Sequence, residues 1–449
     1  MERTRVMRGR GDSRWWTAAT MHVPMILFAL AAFLFVRSAM GGGDASPLPI
    51  ATAGPDYATL RDADIAFFEA RVVETRDSLS YNRLVSLYLQ RYRERGDVAD
   101  IGRAEIAALR SNEAATGNYG SMVALASVRL VQHQFTEAES LSRTAAEQRP
   151  GLADAYAIRG DALLAMGRYD EAETAYRVVL EKAPGPAAFA RLASAAELRG
   201  NTPLAEQFWM AAIDSETQPE PAAWASVQLG HLSFVLGDLG AAEAAFRQAL
   251  AAFPNYPHAL AGLGKVEAAR GRWDRAEEYL TAATGFAPNI DYVGTLGDVL
   301  LLGGQSQAAE RQFALVAAIT NLEEANGIRE DLTALMFALD HGRPTPEVVE
   351  AARRAFELRP SIAAADTYAW ALYRTGDFEA AWTRIQMARA TGKRDPQLAF
   401  HAAAIASARG DAETARRLMN ELDGLNARFA PVYEVEIAQL RATLQDGAR

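Results

Sequence analysis

The chain has 449 residues, about half of them hydrophobic, a formal net charge of −10 and no cysteine. The missing thiols exclude a disulfide framework, a thiolate nucleophile, a sulfur-ligated metal and a lipoprotein cleavage cysteine. Six arginines lie in the first 37 residues against only Glu2 and Asp12, so the body beyond them is more acidic still, which argues against a nucleic-acid partner and is ordinary for a solvated surface.

At the N-terminus, Arg3, Arg5, Arg8, Arg10 and Arg14 precede a segment, Trp15 to Val36, that contains no charged side chain. As a helix its 22 residues extend ~33 Å, about the hydrocarbon thickness of a bilayer. The arginine asymmetry orients such a helix with its start in the cytoplasm. The expected order is a basic cytoplasmic tail over 1–14, one transmembrane helix over 15–37 and a flexible Gly/Pro linker over 38–56. A cleavable signal peptide is the alternative, because the strictly apolar run from Val23 to Val36 is only 14 residues; cleavage near Gly41 would then release the rest as a secreted protein. Both readings put everything beyond Gly41 outside the cytoplasm. Residues 57–81 are expected to form an N-terminal capping helix, with Ile65, Phe68 and Val72 at helical spacing, and 431–449 a C-terminal capping helix.

Between these ends alanine recurs in one slot, at Ala104, Ala138, Ala172, Ala205, Ala242, Ala276, Ala309, Ala381 and Ala415, with Val348 in the one gap. A period near 34 residues signals a helix-turn-helix unit stacked into a solenoid. Three further slots carry the pattern. Twelve residues earlier stands another small residue, such as Gly160, Ala193, Gly230, Gly264 and Gly297, which lets paired helices approach closely. Five residues earlier a glycine marks the inter-helix turn, at Gly167, Gly200, Gly237, Gly271, Gly304, Gly376 and Gly410, where positive φ is wanted. Twelve residues later proline ends the second helix at Pro150, Pro184, Pro254, Pro288 and Pro360. Tyr176, Trp209, Phe246 and Phe313, one helical turn beyond the key alanine, fill the space left by the small residues. Stacking is expected to be least regular between Asn321 and Pro360.

This four-slot pattern resembles the tetratricopeptide repeat family, in its bacterial membrane-anchored or exported form, over roughly residues 82–430. The resemblance implies an all-α fold: a right-handed superhelical solenoid of about ten helix-turn-helix repeats, preceded here by the one N-terminal transmembrane helix. On function the resemblance says little, since members of the family are binding surfaces of very diverse specificity. Taken with the N-terminal segment, the spacer and the long groove, the expectation is a non-enzymatic scaffold that binds a protein or peptide through its concave face, in a bacterial inner membrane with the repeats periplasmic, the alternative being a secreted peptide-binding carrier.

No catalytic constellation emerges. The six histidines are scattered singly, there is no HExxH, GxxxxGK[ST] or GxSxG sequence, and no cofactor or metal is expected. The resemblance places residues one position after the first-helix small residue in the groove. These include Asp161, Ser194, His231, Lys265, Asp298 and Trp370, joined by Phe234 and Tyr373 three residues after His231 and Trp370. Packing against neighbouring repeats is the competing role for Trp370, Phe234 and Tyr373. Only Lys265 offers a cation among these positions, against the carboxylate clamp of co-chaperones of this family.

Overall fold

The computed structural model describes residues 57–329, 331–342 and 344–446. The basic tail, the expected transmembrane helix and the linker lie outside the described residues; among the described residues no helix is long and apolar enough to cross a membrane. Those residues are all-helical, without a strand.

A single helix, α1 (Tyr57–Thr75), is followed by ten helix pairs: α2 (Ser78–Arg95) and α3 (Ala99–Ala114), α4 (Tyr119–Val131) and α5 (Phe135–Gln148), α6 (Asp154–Ala165) and α7 (Tyr169–Lys182), α8 (Pro186–Leu198) and α9 (Thr202–Ser215), α10 (Pro219–Val235) and α11 (Leu239–Ala252). The series continues with α12 (Pro257–Ala269) and α13 (Trp273–Phe286), α14 (Ile290–Leu302) and α15 (Ser306–Ala325), α16 (Leu332–His341) and α17 (Pro346–Leu358), α18 (Ile362–Arg374) and α19 (Phe378–Arg389), α20 (Pro396–Ala408) and α21 (Ala412–Asp423). A 3-10 turn, Pro431–Tyr433, leads into α22 (Glu434–Asp446). Helix α2 begins at Ser78, ahead of the expected start of the array at 82, because the Asp77 carboxylate accepts the Ser80 amide hydrogen as an N-cap.

Each sequence slot has a physical counterpart. The nine key alanines are 1% exposed or less. A Cβ placed on Gly230 would stand 2.7 Å from the Phe246 ring, and one on Gly264 2.6 Å from the Leu280 side chain, so only hydrogen fits there. The ring of Tyr176 lies against Gly160 and that of Phe313 against Gly297 in the same way. All seven turn glycines have positive φ, between 69° and 88°. The second helices end two residues before proline, at Gln148, Lys182, Ala252, Phe286 and Leu358. Where that proline is missing, α15 runs on for 20 residues, and the next helix, α16, is only 10 residues long with Leu339 its one buried side chain.

Consecutive pairs pack together, but the chain also meets itself one superhelical turn later. The Gln132 side chain donates to the Asn326 carbonyl at 3.3 Å, and the Arg329 amide donates to the Gln132 carbonyl at 3.2 Å. The Ile362 amide donates to the Tyr169 hydroxyl at 2.7 Å, and the Asn426 amide to the Val235 carbonyl at 3.1 Å. These seams fall on the turn glycines. The Pro360 carbonyl lies 2.6 Å from where a Gly167 Cβ would be, the Leu425 carbonyl 3.1 Å from that of Gly237, and the Gly392 carbonyl closer still to that of Gly200. A turn residue with a side chain would hold the two coils apart. The winding therefore turns the concave side of the repeats into an interior.

Candidate functional site

Four of the eight expected groove residues converge. His231 and Phe234 on α10, Lys265 on α12 and Asp298 on α14 line one cavity of about 340 Å³ in that interior. The irregular unit supplies the opposite wall through Met336, Phe337, Asp340 and His341 of α16, and the C-terminal segment supplies Phe429 to Tyr433. The helix that breaks the repeat rhythm thus faces the most regular ones. Phe337 lies close against Gly294, where a Cβ would approach its ring to 3.1 Å.

The polar groups here are arranged in pairs. The Lys265 ammonium donates to Asp291 at 2.7 Å; desolvation within the cavity alone would raise the half-exposed Asp291 carboxyl, but the lysine charge outweighs it and holds it below the usual carboxylate range. His231 is pushed down to about 4 by burial and by the nearby Lys265 charge, so its imidazole is neutral at physiological pH. His341 Nε2 and Asp298 Oδ1 are 2.6 Å apart. Burial pushes Asp298 up; it opposes protonation of His341, yet the bond to Asp298 prevails and raises the imidazole as well. The pair keeps its proton to higher pH than either group would alone. Deeper, Asp340 accepts from the Trp370 indole N–H at 2.8 Å and from the Tyr433 hydroxyl at 2.8 Å, and burial raises it.

The other four expected residues lie elsewhere. Asp161 accepts from Arg191 at 2.8 Å and from the Tyr176 hydroxyl at 3.0 Å, tying α8 to α6. The Ser194 hydroxyl donates to the Ala190 carbonyl one turn back on its own helix. Trp370 is 0% exposed, stacked between Tyr373 and His401, with centroids 4.7 Å and 3.8 Å away. Its ring faces and its N–H are engaged inside the core, with Tyr373 as its packing partner. What sequence reasoning missed is the opposite wall. Met336, Phe337 and His341 have no slot in a repeat whose first helix lacks its small residue, and Phe429 to Tyr433 lie beyond the array. The one available signal was the mixed aromatic and histidine content of LTALMFALDH.

With neutral His231, a lysine–aspartate pair, a hydrogen-bonded histidine–aspartate pair and the rings of Phe234, Phe337 and Phe429, the cavity suits recognition by shape and hydrogen bonding. No group of three or more potential metal ligands occurs among the described residues.

The tetratricopeptide repeat family matches two segments of the chain, residues 130–196 and 236–298. The units in those segments are tetratricopeptide repeats, and the other pairs share their helix-turn-helix form. No curated protein matches the sequence. Similar solved structures include PilW, a widely conserved type IV pilus biogenesis factor, at 21% identity over 44% of this chain and 92% of that one, with a TM-score of 0.38. A tetratricopeptide repeat protein from Parabacteroides merdae shares 16% identity over 55% and 98%, with a TM-score of 0.38. The Cut9–Hcn1 hetero-tetramer of the APC/C shares 12% over 86% and 94%, with a TM-score of 0.36.

Proposed function

We propose that this chain is a non-enzymatic scaffold that holds a protein or peptide partner in the concave interior of its repeats. The carrying observation is the convergence of His231, Phe234, Lys265 and Asp298, from three successive repeats, on a single cavity. Aromatic walls with a few fixed polar groups are what a docked peptide segment needs. The repeats of the matched family serve as protein-binding surfaces, in keeping with this reading. In the finer form of the proposal the scaffold is tethered to a bacterial inner membrane by the helix expected over 15–37, with the repeats on the extracytoplasmic side; the charge-free run after five arginines supports it. The 14-residue strictly apolar core supports the alternative, a secreted carrier released near Gly41.

A photocrosslinking residue placed in cells at His231 or Asp298 tests the function. The expected result is one discrete protein adduct from those sites and none from the exposed Arg177. Absence of any adduct from the cavity sites, or equal labelling from all three, contradicts it. Mass spectrometry of the mature N-terminus separates tether from release.

A further inference from the structure

The interior is already partly filled, by the chain itself. After α21, Leu425 and Asn426 close the last seam against the turn after α10, and Phe429 to Tyr433 then leave the repeat path and enter the concave side. Its Asn426 amide bonds the Val235 carbonyl at the end of α10. The Arg428 guanidinium sits over the Trp273 ring at 5.5 Å while pairing with Glu434 at 2.6 Å. Phe429 packs against two separate hydrophobic clusters, one built on α10 to α15 and one on α16 to α22. Tyr433 ends the run in a buried network: its hydroxyl donates to Asp340 at 2.8 Å, and His401 Nε2 is 3.1 Å from the same oxygen.

We infer that Leu425–Tyr433 is a resident ligand of the groove, and that the external partner is a segment of the same chemistry and turned backbone: a basic residue, then two aromatic residues four positions apart with proline between them, as in Arg428, Phe429, Pro431 and Tyr433. This rests on the concave-face reading of function and names its partner class. Three observations carry it. The segment ends in the interior as a non-repeat, irregular strap, and on its way makes contacts of the kind a docked peptide makes, a main-chain hydrogen bond to Val235 and a cation over the Trp273 face. It contributes Phe429 to Tyr433 to the lining of the cavity, so any ligand there abuts or replaces it. It is also imperfectly satisfied: Asn426 is buried, yet its Nδ2 has no hydrogen-bond partner among the described residues, which weakens its hold. Proline fixes φ and lowers the entropy lost when such a segment docks.

The test uses the full chain and a fluorescent peptide with the sequence of residues 424–446. Loosening the strap by Arg428→Ala with Phe429→Ala is expected to strengthen peptide binding about tenfold, because the competent fraction of the groove rises. Replacing both aromatics of the peptide by alanine is expected to abolish binding. Hydrogen exchange of the unaltered chain serves as the second readout: excess peptide is expected to speed exchange over 425–433 while α20 stays protected. Equal affinity for both chains, or strap amides that remain as slow as α20 in excess peptide, overturns the inference. If cavity photocrosslinks still capture one partner in that case, the scaffold reading survives and only the resident ligand is lost; if they capture none, both fall.

Discussion

The amide of Ile362 donates a hydrogen bond to the hydroxyl of Tyr169, 193 positions earlier in the chain, at 2.7 Å. Tyr169 opens the second helix of the third pair and Ile362 the first helix of the ninth, so the bond spans one full superhelical turn. A repeat array stabilised only by neighbours would lack it. Each coil of this protein rests on the next, and the concave face becomes a lined interior as a result.

The glycines at the seam test this directly. Gly200 and Gly304 both have positive φ, 69° and 79°, but a Cβ on Gly304 would meet nothing within 4 Å, whereas one on Gly200 would collide with the Gly392 carbonyl. Gly304→Ala is expected to cost the left-handed penalty alone, about 1–2 kcal/mol. Gly200→Ala adds overpacking against backbone, a further ~1–3 kcal/mol. Urea unfolding of both variants measures the difference.

Helix pairing inside a repeat is tested by Gly230→Leu against Lys265→Leu. The Gly230 site has no room beside Phe246, so leucine is expected to destabilise by ~1–3 kcal/mol or more. Lys265 faces the cavity, and losing its pair with the half-exposed Asp291 is expected to cost at most ~1 kcal/mol. Equal melting shifts would mean that the helix register is misassigned.

Glu323 gives the stability a pH dependence. It is buried near the end of α15, its Oε2 has no hydrogen-bond partner among the described residues, and burial together with Asp331 pushes its carboxyl up to about 8. A raised carboxyl binds its proton more tightly in the folded state, so this contribution is intact below about pH 4.5 and is lost as the pH rises through about 8. Glu323→Gln is expected to melt higher than the parent at pH 8.5, by on the order of 1–3 kcal/mol, with little difference at pH 4.5. Melting curves across that range decide it.

Tyr433 is expected to matter through its hydroxyl as well as its ring. Tyr433→Phe keeps the packing but leaves Asp340 and His401 each short of a partner in a largely buried network that the cavity reaches at Asp340, at a cost of ~1–3 kcal/mol. Thermal unfolding of this variant, compared with Tyr373→Phe in the same cluster, checks the assignment.

Much of the repeat body is legible in the sequence because small residues, positive-φ glycines and helix-ending prolines each have a residue type that the physics demands. Gly160 against Tyr176 and Gly167 in its turn are read without coordinates. The seam is not legible in the same way. The atoms that close on the turn glycines are backbone carbonyls of Pro360, Gly392 and Leu425, which any residue supplies, and the register depends on a small rotation accumulated over several units. Gly200 therefore announces its φ but not the carbonyl it must clear. The site is half legible for a related reason: His231, Phe234, Lys265 and Asp298 occupy repeat slots, while Phe337, His341 and Phe429 come from segments that follow no repeat.

The absence of cysteine permits the most direct test of the coil-on-coil arrangement. Arg199→Cys and Arg394→Cys, flanking the contact of Gly200 with Gly392, are introduced together and treated with a short bis-maleimide at high dilution. Rapid intramolecular crosslinking is expected, and none when Arg177→Cys replaces Arg199→Cys. A pair that stays unlinked, or links no faster than the Arg177 control, would show an open solenoid whose turns do not meet.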